Sequence, residues 1–379
     1  MPASFEETFA RWEKHAQRNS FPFETVIYED AVAALARILP QIERDRESST
    51  REFVAQGETR ARIAEDAAAR GDRAAARKNY LGAYGLYRMA RYPCVSTPGK
   101  RAAYEKAKEY LRKAYDAEGT PIRVVEMPFR GRPNEGDKVI GYLRVPSHGT
   151  PAPVLVAWAG IDSYKEEWMV RAEAFFARGI ATLTVDMPGT GDAPLLYGED
   201  GERMWDAVFD WIGTQPELDW QRVGAWGGSD GGYWATKIAH THRERLAGVI
   251  SQGGGAHILF SPEWIAKAQQ FGNPWGIAET RGNAAGKPSY DAWIAFAPRM
   301  SLLTQGVLDR PCAPLLCING VKDPITPIED YYIVLQHGGP KWARFFPGGH
   351  MGMEADGYQG HTVPIMVDWM CERLGIGRP

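Results

Sequence analysis

One serine in this chain stands in a setting that can make it a nucleophile. Residues 223–239 begin as a short apolar run, break through glycines around Ser229, and continue in a helical pattern. Gly227, Ser229 and Gly231 match the G-x-S-x-G turn, whose small flanking residues permit a tight strand-to-helix elbow that lifts the hydroxyl above the end of a parallel sheet. A helix that starts there leaves its first backbone N–H groups without internal acceptors, aimed at any oxyanion. The pentapeptide by itself also fits a glycine-rich turn with an incidental serine, so its meaning depends on the downstream residues.

A serine nucleophile needs a base and a carboxylate to orient that base, and after such an elbow they come in the chain order acid, then histidine. Residues 314–320 read as a buried strand, and Asp323 falls in the loop just beyond its carboxyl end. A helical stretch over 328–337 and a strand over 341–346 then lead into Pro347-Gly348-Gly349-His350, a glycine loop at the same edge of the sheet. Taken singly, an Asp before Pro is a turn former and a lone histidine is a structural hydrogen-bonding group. In the required order, each after a strand, they read as acid and base. His350 would take the serine proton during attack, while Asp323 would fix the imidazole tautomer and stabilise the imidazolium. The developing oxyanion would be met by the backbone N–H of Asp230, directly after the serine, and by that of Ile161 in the loop following the strand at 153–158.

Five spaced segments carry a resemblance. Residues 160–166, 186–191, 228–233, 301–306 and 319–323 together resemble the FrsA-like branch of the α/β-hydrolases, which includes 2,6-dihydroxypseudooxynicotine hydrolase and fungal hydrolases that trim or release polyketides. The resemblance covers most of the chain, including the helical N-terminal part. It implies a serine hydrolase with Ser229, Asp323 and His350 as its triad, and it points to cleavage of a carbon–carbon bond next to a ketone. Asp230 departs from the branch, where many members carry an uncharged residue. A carboxylate there is unfavourable beside an oxyanion unless it points away or is paired.

The rest of the sequence must position these residues. At 379 residues the chain exceeds the size at which a single core stops growing, which predicts a large core with an accessory domain. Residues 28–118 are rich in Ala, Arg, Glu and Lys with apolar residues at helical spacing, as in Ala31, Leu35, Ile38, Leu39 and Ile42. Residues 1–120 therefore read as a helical cap or lid domain over the catalytic edge. Residues 71–84, with Tyr80, Tyr84 and Tyr87, faintly suggest a tetratricopeptide-like helix pair, too little for a repeat array; these tyrosines read as packing residues.

From residue 121 the period changes to strands. Segments 122–127 and 139–145 read as an antiparallel opening, followed by strands at 154–158, 181–186, 223–226 and 249–252 that alternate with helices at 168–178 and 202–214. That alternation predicts an α/β fold with a mainly parallel, doubly wound sheet over 121–379, whose ligands bind beyond the carboxyl ends of the strands. The aromatic-rich interval around 256–300, with Phe260, Trp264, Phe271, Trp275, Tyr290, Trp293 and Phe296, is expected to add a second lid.

Within that interval Glu263 has two readings. The resemblance makes it a residue that recognises a polar aromatic substrate; the local sequence makes it the first turn of a helix capped by Ser261 with Pro262 at the first position. His257 is a second candidate substrate contact. Lys165, Glu166 and Glu167 read as a solvated helix start, with one of them bracing the oxyanion loop, and Asp186 and Asp192 as loop-shaping residues.

Composition narrows the function classes. A net charge of −3 supplies no electrostatic reason to expect nucleic acid or an anionic membrane as partner. The four cysteines, Cys94, Cys312, Cys317 and Cys371, form no Cys-x-x-Cys pair and read as reduced core residues. Charged residues Glu6, Glu7, Arg11, Glu13 and Lys14 interrupt the first twenty positions, so no signal-peptide apolar stretch is expected there, and a cytoplasmic protein is the expectation. The eight histidines never fall into a metal-ligand spacing, and no phosphate-loop or dinucleotide fingerprint occurs; no metal and no cofactor are expected. The expected partner is a small-molecule carbonyl compound, cleaved at a carbon–carbon bond or, alternatively, at an ester or lactone, with a non-catalytic binding protein as the reading of a different class. The oligomeric state, a homodimer included, is left open.

Overall fold

The computed structural model describes residues 4–269, 275–354 and 360–377. The chain divides into two compact units: Met1–Ile122 with Gly272–Glu279, and Arg123–Phe271 with Thr280–Pro379.

The first unit is helical: α1 Phe5–Gln17, α2 Tyr28–Ile38, α3 Ser48–Ala69, α4 Arg73–Arg91 and α5 Pro98–Glu118. Its helix ends obey local chemistry. Ser4 Oγ accepts the Glu7 N–H at 3.1 Å while the Glu7 carboxylate accepts the Ser4 N–H at 3.2 Å, a capping box that starts α1 earlier than the helical periodicity from residue 28 predicts. Asp72 caps α4 by accepting the Ala75 N–H at 3.0 Å, and the short turn before it folds α4 back onto α3. The tyrosines of this pair are packing residues: Tyr80, Tyr84 and Tyr87 are buried, and Tyr87 stacks on Tyr110 of α5 with centroids 5.4 Å apart.

In α1 the buried residues Phe5, Phe9, Trp12 and Ala16 form one stripe at helical spacing. Trp12 lies at its centre, with ring centroids 5.2 Å from Phe9, 5.7 Å from Phe23, 5.6 Å from Tyr92 and 5.9 Å from Trp275. Trp275 and Glu279 come from the returning segment near residue 275, and the Glu279 carboxylate accepts a hydrogen bond from Lys100 Nζ at 2.8 Å. This segment falls in the interval whose sequence reads as a second lid; Phe271, part of that reading, lies outside the described residues.

The second unit is built on an eight-stranded sheet: β1 Arg123–Pro128, β2 Lys138–Arg144, β3 Ala152–Trp158, β4 Ala181–Val185, β5 Leu218–Gly228, β6 Gly248–Gln252, β7 Leu315–Gly320 and β8 Lys341–Phe346. The spatial order is β1-β2-β4-β3-β5-β6-β7-β8. Strands β1, β2 and β4 pair antiparallel, with Val125 opposite Gly141 and Leu143 opposite Leu183, and all later pairs are parallel. Every residue of β3, β4, β6 and β7 is buried, as expected of parallel strands covered on both faces.

The helices of this unit are α6 Lys165–Arg171, α7 Glu173–Phe176, α8 Met204–Ile212, α9 Asp230–Thr241, α10 Pro262–Ala268, α11 Tyr290–Phe296, α12 Ile328–Gln336 and α13 Thr362–Arg373. Two helices expected as single pieces are divided. The 168–178 stretch starts earlier, at Lys165, and breaks at Ala172, and the 202–214 stretch opens with a 3-10 turn before α8. Strand β5 starts before the apolar run, because Leu218 already pairs with Ala152. One face of the sheet packs Trp168, Phe175 and Trp226 with Met366 and Met370 of α13.

Because the chain runs from β3 to β4 on one side and then crosses back over β3 to reach β5 on the other, a crevice opens at the carboxyl ends of β3 and β5. Trp158, the last residue of β3, pairs with Gly227 of β5, so the Ile161 loop and the Ser229 turn emerge side by side.

The aromatic cluster around Trp12 makes a direct stability test. Trp12→Ala removes a buried ring from the centre of that cluster and is expected to cost about 3–5 kcal/mol, read as a lower midpoint in denaturant unfolding of the whole chain.

Candidate active site

Ser229 directly follows β5, at the turn into α9, with φ 57° and ψ −129°, a conformation that L-residues rarely adopt. It is held there by its own backbone: the Ser229 N–H donates to Gln252 O of β6 at 2.7 Å, and its carbonyl accepts the Gly232 N–H at 2.8 Å. Gly231 has no room for a side chain, since a Cβ would stand 2.2 Å from Ala159 O. On the opposite side of the turn, a Cβ on Gly160 would stand 2.6 Å from Ser229 Cβ and 3.1 Å from its Oγ. The loop after β3 thus presses its backbone against the serine.

Asp323 lies beyond β7 and is fully buried at its side chain. Its Oδ1 accepts the Ile325 N–H at 2.7 Å; its Oδ2 accepts from Asn319 Nδ2 at 2.8 Å and lies 2.7 Å from His350 Nδ1. His350 opens a 3-10 turn after β8, and its Nε2 lies 2.8 Å from Ser229 Oγ. The three side chains, spread over 121 positions, therefore form one hydrogen-bonded row. Burial pulls the His350 imidazole down, but the Asp323 carboxylate against its Nδ1, with Asp230 and Asp162 nearby, outweighs this and holds its pKa above the ordinary histidine value.

Asp230 is the first residue of α9, so its backbone N–H has no acceptor within the helix and opens beside Ser229. Ile161 lies in the loop whose Gly160 touches the serine. The Asp230 side chain is buried and turned into the protein, where its Oδ2 accepts from Arg281 Nε at 3.0 Å.

Other expectations from the sequence fare differently. Lys165, Glu166 and Glu167 are not a solvated helix start; all three are buried. The Lys165 ammonium, with no exposed side-chain surface, lies 2.9 Å from Asp186 Oδ2, 2.7 Å from Asp192 Oδ2 and 3.0 Å from Glu166 Oε1. Three carboxylates around one cation make the burial tolerable, and they raise the Lys165 pKa well above its usual range against the pull of desolvation. Burial in turn pushes the Glu166 carboxyl up to about 7 against the attraction of Lys165. Asp186 also shapes its loop, accepting the Lys165 N–H at 2.8 Å and the Asp192 N–H at 2.9 Å. Glu167 braces the segment after Ile161 by accepting the Tyr164 N–H at 3.0 Å.

Glu263 is exposed in the first turn of α10, where Ser261 Oγ accepts the Trp264 N–H at 3.2 Å; this is the helix-start geometry. His257 is tied locally, its N–H donating to Asp330 Oδ1 at 2.8 Å and its Nδ1 lying 2.7 Å from Ser301 Oγ. Neither is joined to the Ser229 row by a hydrogen bond among the described residues.

Sequence reasoning missed Asn319, Gln252 and Arg281. Asn319 Oδ1 accepts the Met351 N–H at 2.8 Å while its Nδ2 holds Asp323, so one amide fixes both the acid and the turn of the base. Gln252 Nε2 donates to Met351 O at 3.0 Å. A polar residue near the end of an otherwise apolar strand was the signal for the first two; Arg281, some fifty positions from Asp230, carried none.

An eight-stranded, mostly parallel sheet with a strained serine at the end of β5 and a histidine after β8 is an α/β-hydrolase. The model of the family described as "Esterase FrsA-like" matches residues 51–342, and the chain belongs to that family. The chain is 30% identical over 266 residues to esterase FrsA of Escherichia coli, which covers 68% of this chain and 62% of that protein, and 28% identical over 302 residues to esterase FrsA of Salmonella schwarzengrund, which covers 78% and 70%. The alignment with the Escherichia coli relative thus spans less than two thirds of that protein's length. Among solved structures, 2,6-dihydroxy-pseudo-oxynicotine hydrolase superposes with a TM-score of 0.76 at 21% identity, covering 96% of this chain and 95% of that one. AbyA5 superposes with a TM-score of 0.75 at 20% identity, covering 97% and 95%. These likenesses establish the shared fold. No helix among the described residues is long and apolar enough to cross a membrane.

The buried cation yields a prediction. Lys165→Met leaves Asp186, Asp192 and Glu166 without their common counter-charge and is expected to cost about 3–5 kcal/mol of stability. Adding Asp186→Asn should recover part of the lost thermal midpoint.

Proposed function

We propose that the chain is a serine hydrolase in which Ser229, His350 and Asp323 act as nucleophile, base and orienting acid through an acyl-enzyme. The observation that carries this reading is the row Ser229 Oγ–His350 Nε2 at 2.8 Å and His350 Nδ1–Asp323 Oδ2 at 2.7 Å, mounted on a strained elbow at the sheet's carboxyl edge. With Nδ1–H donating to Asp323, Nε2 accepts the serine proton as Oγ attacks a substrate carbonyl. The oxygen that gains charge is met by the backbone N–H groups of Asp230 and Ile161, donors of a kind each worth about 2.7–4 kcal/mol of barrier. The bond to the leaving group then breaks, and the His350 imidazolium returns its proton to that group. Water, deprotonated by the same imidazole, attacks the acyl-enzyme and frees Ser229.

The leaving group sets the substrate class. Carbon–carbon cleavage by this machinery requires a carbanion stabilised by resonance, as from a β-diketone or an acylated phenol, which His350 protonates at carbon. The fold is shared with 2,6-dihydroxy-pseudo-oxynicotine hydrolase along nearly the whole chain, which supports an aromatic or polyketide-like ketone as substrate. A carboxylesterase or lactone hydrolase is the second reading, favoured by membership of the FrsA-like esterase family. Turnover of aromatic β-diketones compared with nitrophenyl esters separates the two: diketone cleavage is expected, and fast ester hydrolysis with no diketone cleavage assigns the esterase.

Reaction of Ser229 with a fluorophosphonate tests the reading as a whole, since a binding protein with an idle serine stays unlabelled. Ser229→Ala should abolish labelling and turnover, and His350→Ala and Asp323→Asn should each lower kcat by about 10³-fold or more with the fold intact by circular dichroism. The base works only when neutral, and its pKa is raised. The acid limb of kcat/KM should therefore lie above about pH 6.5, with activity lost as pH falls through it. Asp323→Asn should move that limb to lower pH in the residual activity.

A further inference from the structure

Asp230 puts a carboxylate on the residue whose backbone N–H is proposed to meet the oxyanion. Its side chain is about 1% exposed, and its Oδ2 accepts from Arg281 Nε at 3.0 Å. Arg281 is itself buried and sits on the π-helical turn Ala278–Gly282, far from α9 in sequence. A buried carboxylate and a buried guanidinium each cost several kcal/mol to desolvate, so such a pair adds little to net stability. Its position beside the nucleophile gives it another use.

We propose that Arg281 is a positioning residue for the reaction, cancelling the negative charge of Asp230 so that the amide beside Ser229 can serve an oxyanion and His350 can be neutral at working pH. This inference rests on the hydrolase reading above. Among the described residues, the titratable groups that act most strongly on the pair and on His350 come from several elements. Arg281 contacts Asp230 and feels Tyr197 and Asp162; Asp230 acts on Tyr197 and Tyr233; His350 contacts Asp323 and feels Asp230 and Asp162. The two phenols stay neutral, since burial raises both well above the ordinary tyrosine range. Asp230 is thus a negative charge felt by His350, and Arg281 is the cation that offsets it. Without Arg281 the carboxylate would oppose charge growth on the substrate oxygen and hold a proton on the base. Without Asp230 the guanidinium would do the reverse.

The test is a double-mutant cycle read by pH. Arg281→Gln should shift the acid limb of kcat/KM upward by about half a unit and lower kcat by at least about tenfold. Asp230→Asn should shift the limb downward by a similar amount, and Asp230→Asn with Arg281→Gln should bring it back towards the parent value. Opposite shifts that cancel in the pair are the expected result, which a purely structural role does not produce. Shifts of the same sign, no shift in either single variant, or a double variant as displaced as Arg281→Gln would overturn the proposal. Where Arg281→Gln fails to fold, the downward shift in Asp230→Asn and its return in the double variant carry the same decision. The His350 ring titration, monitored by NMR in the same proteins, requires no turnover. A chain inert to fluorophosphonate but with opposite His350 shifts would sink the hydrolase reading and leave the charge pairing standing; a reactive chain without them would do the converse.

Discussion

The backbone of Ser229 is the constraint on which the rest of this architecture depends. A non-glycine residue at φ 57° and ψ −129° costs of order 1–3 kcal/mol and persists only where its surroundings leave it no alternative. Here the surroundings are the sheet itself. The serine N–H is bonded to Gln252 of the adjacent strand and its carbonyl to Gly232, while the loop after β3 closes over it through Gly160, which leaves no room for a side chain. The sheet order places β3 and β6 on either side of β5, so both neighbours of the strained residue are supplied by the topology. The strain raises the hydroxyl into the crevice, and the rigidity of the parallel sheet sustains it.

Electrostatics in this region is arranged as buried groups of opposite sign. Lys165 gathers three carboxylates beneath the loop that carries Ile161, and Arg281 holds Asp230 beneath the elbow. Both arrangements fix loops at the same rim of the sheet. Buried ion pairs are weak contributors to net stability, but separating the partners leaves a charge buried and unpaired. On the proposed hydrolase reading, backbone donors at this rim must keep their positions to within about half an ångström, which such constraints help to do.

Much of this is legible in the sequence, for physical reasons that differ by element. The strands read clearly because parallel strands covered on both faces are uniformly apolar, so 249–252 and 181–186 fall within a residue of β6 and β4. The positions of Ser229, Asp323 and His350 are legible because each comes after such a strand in a glycine- or proline-marked loop, and the structure draws those side chains into hydrogen-bonding distance. Lys165 to Glu167 mislead because consecutive charges look solvated unless their distant partners are known, and nothing in the sequence joins them to Asp186 and Asp192. The helix over 168–178 reads as continuous because the break at Ala172 rests on local dihedrals rather than on a glycine or proline. For Glu263 the local capping signal describes its exposed place in the first turn of α10.

The helical unit is not one uninterrupted length of polypeptide. Its aromatic cluster takes in Trp275, and its Lys100 takes a partner in Glu279, both delivered by a segment that the chain reaches only after building six of its eight strands. During synthesis the first 122 residues therefore emerge without the ring that stacks on Trp12 and wait for more than a hundred further residues before that gap is filled. Grafting this unit onto another scaffold by a single cut at its carboxyl end would leave the same gap, so a transplant would have to carry two separate stretches of chain.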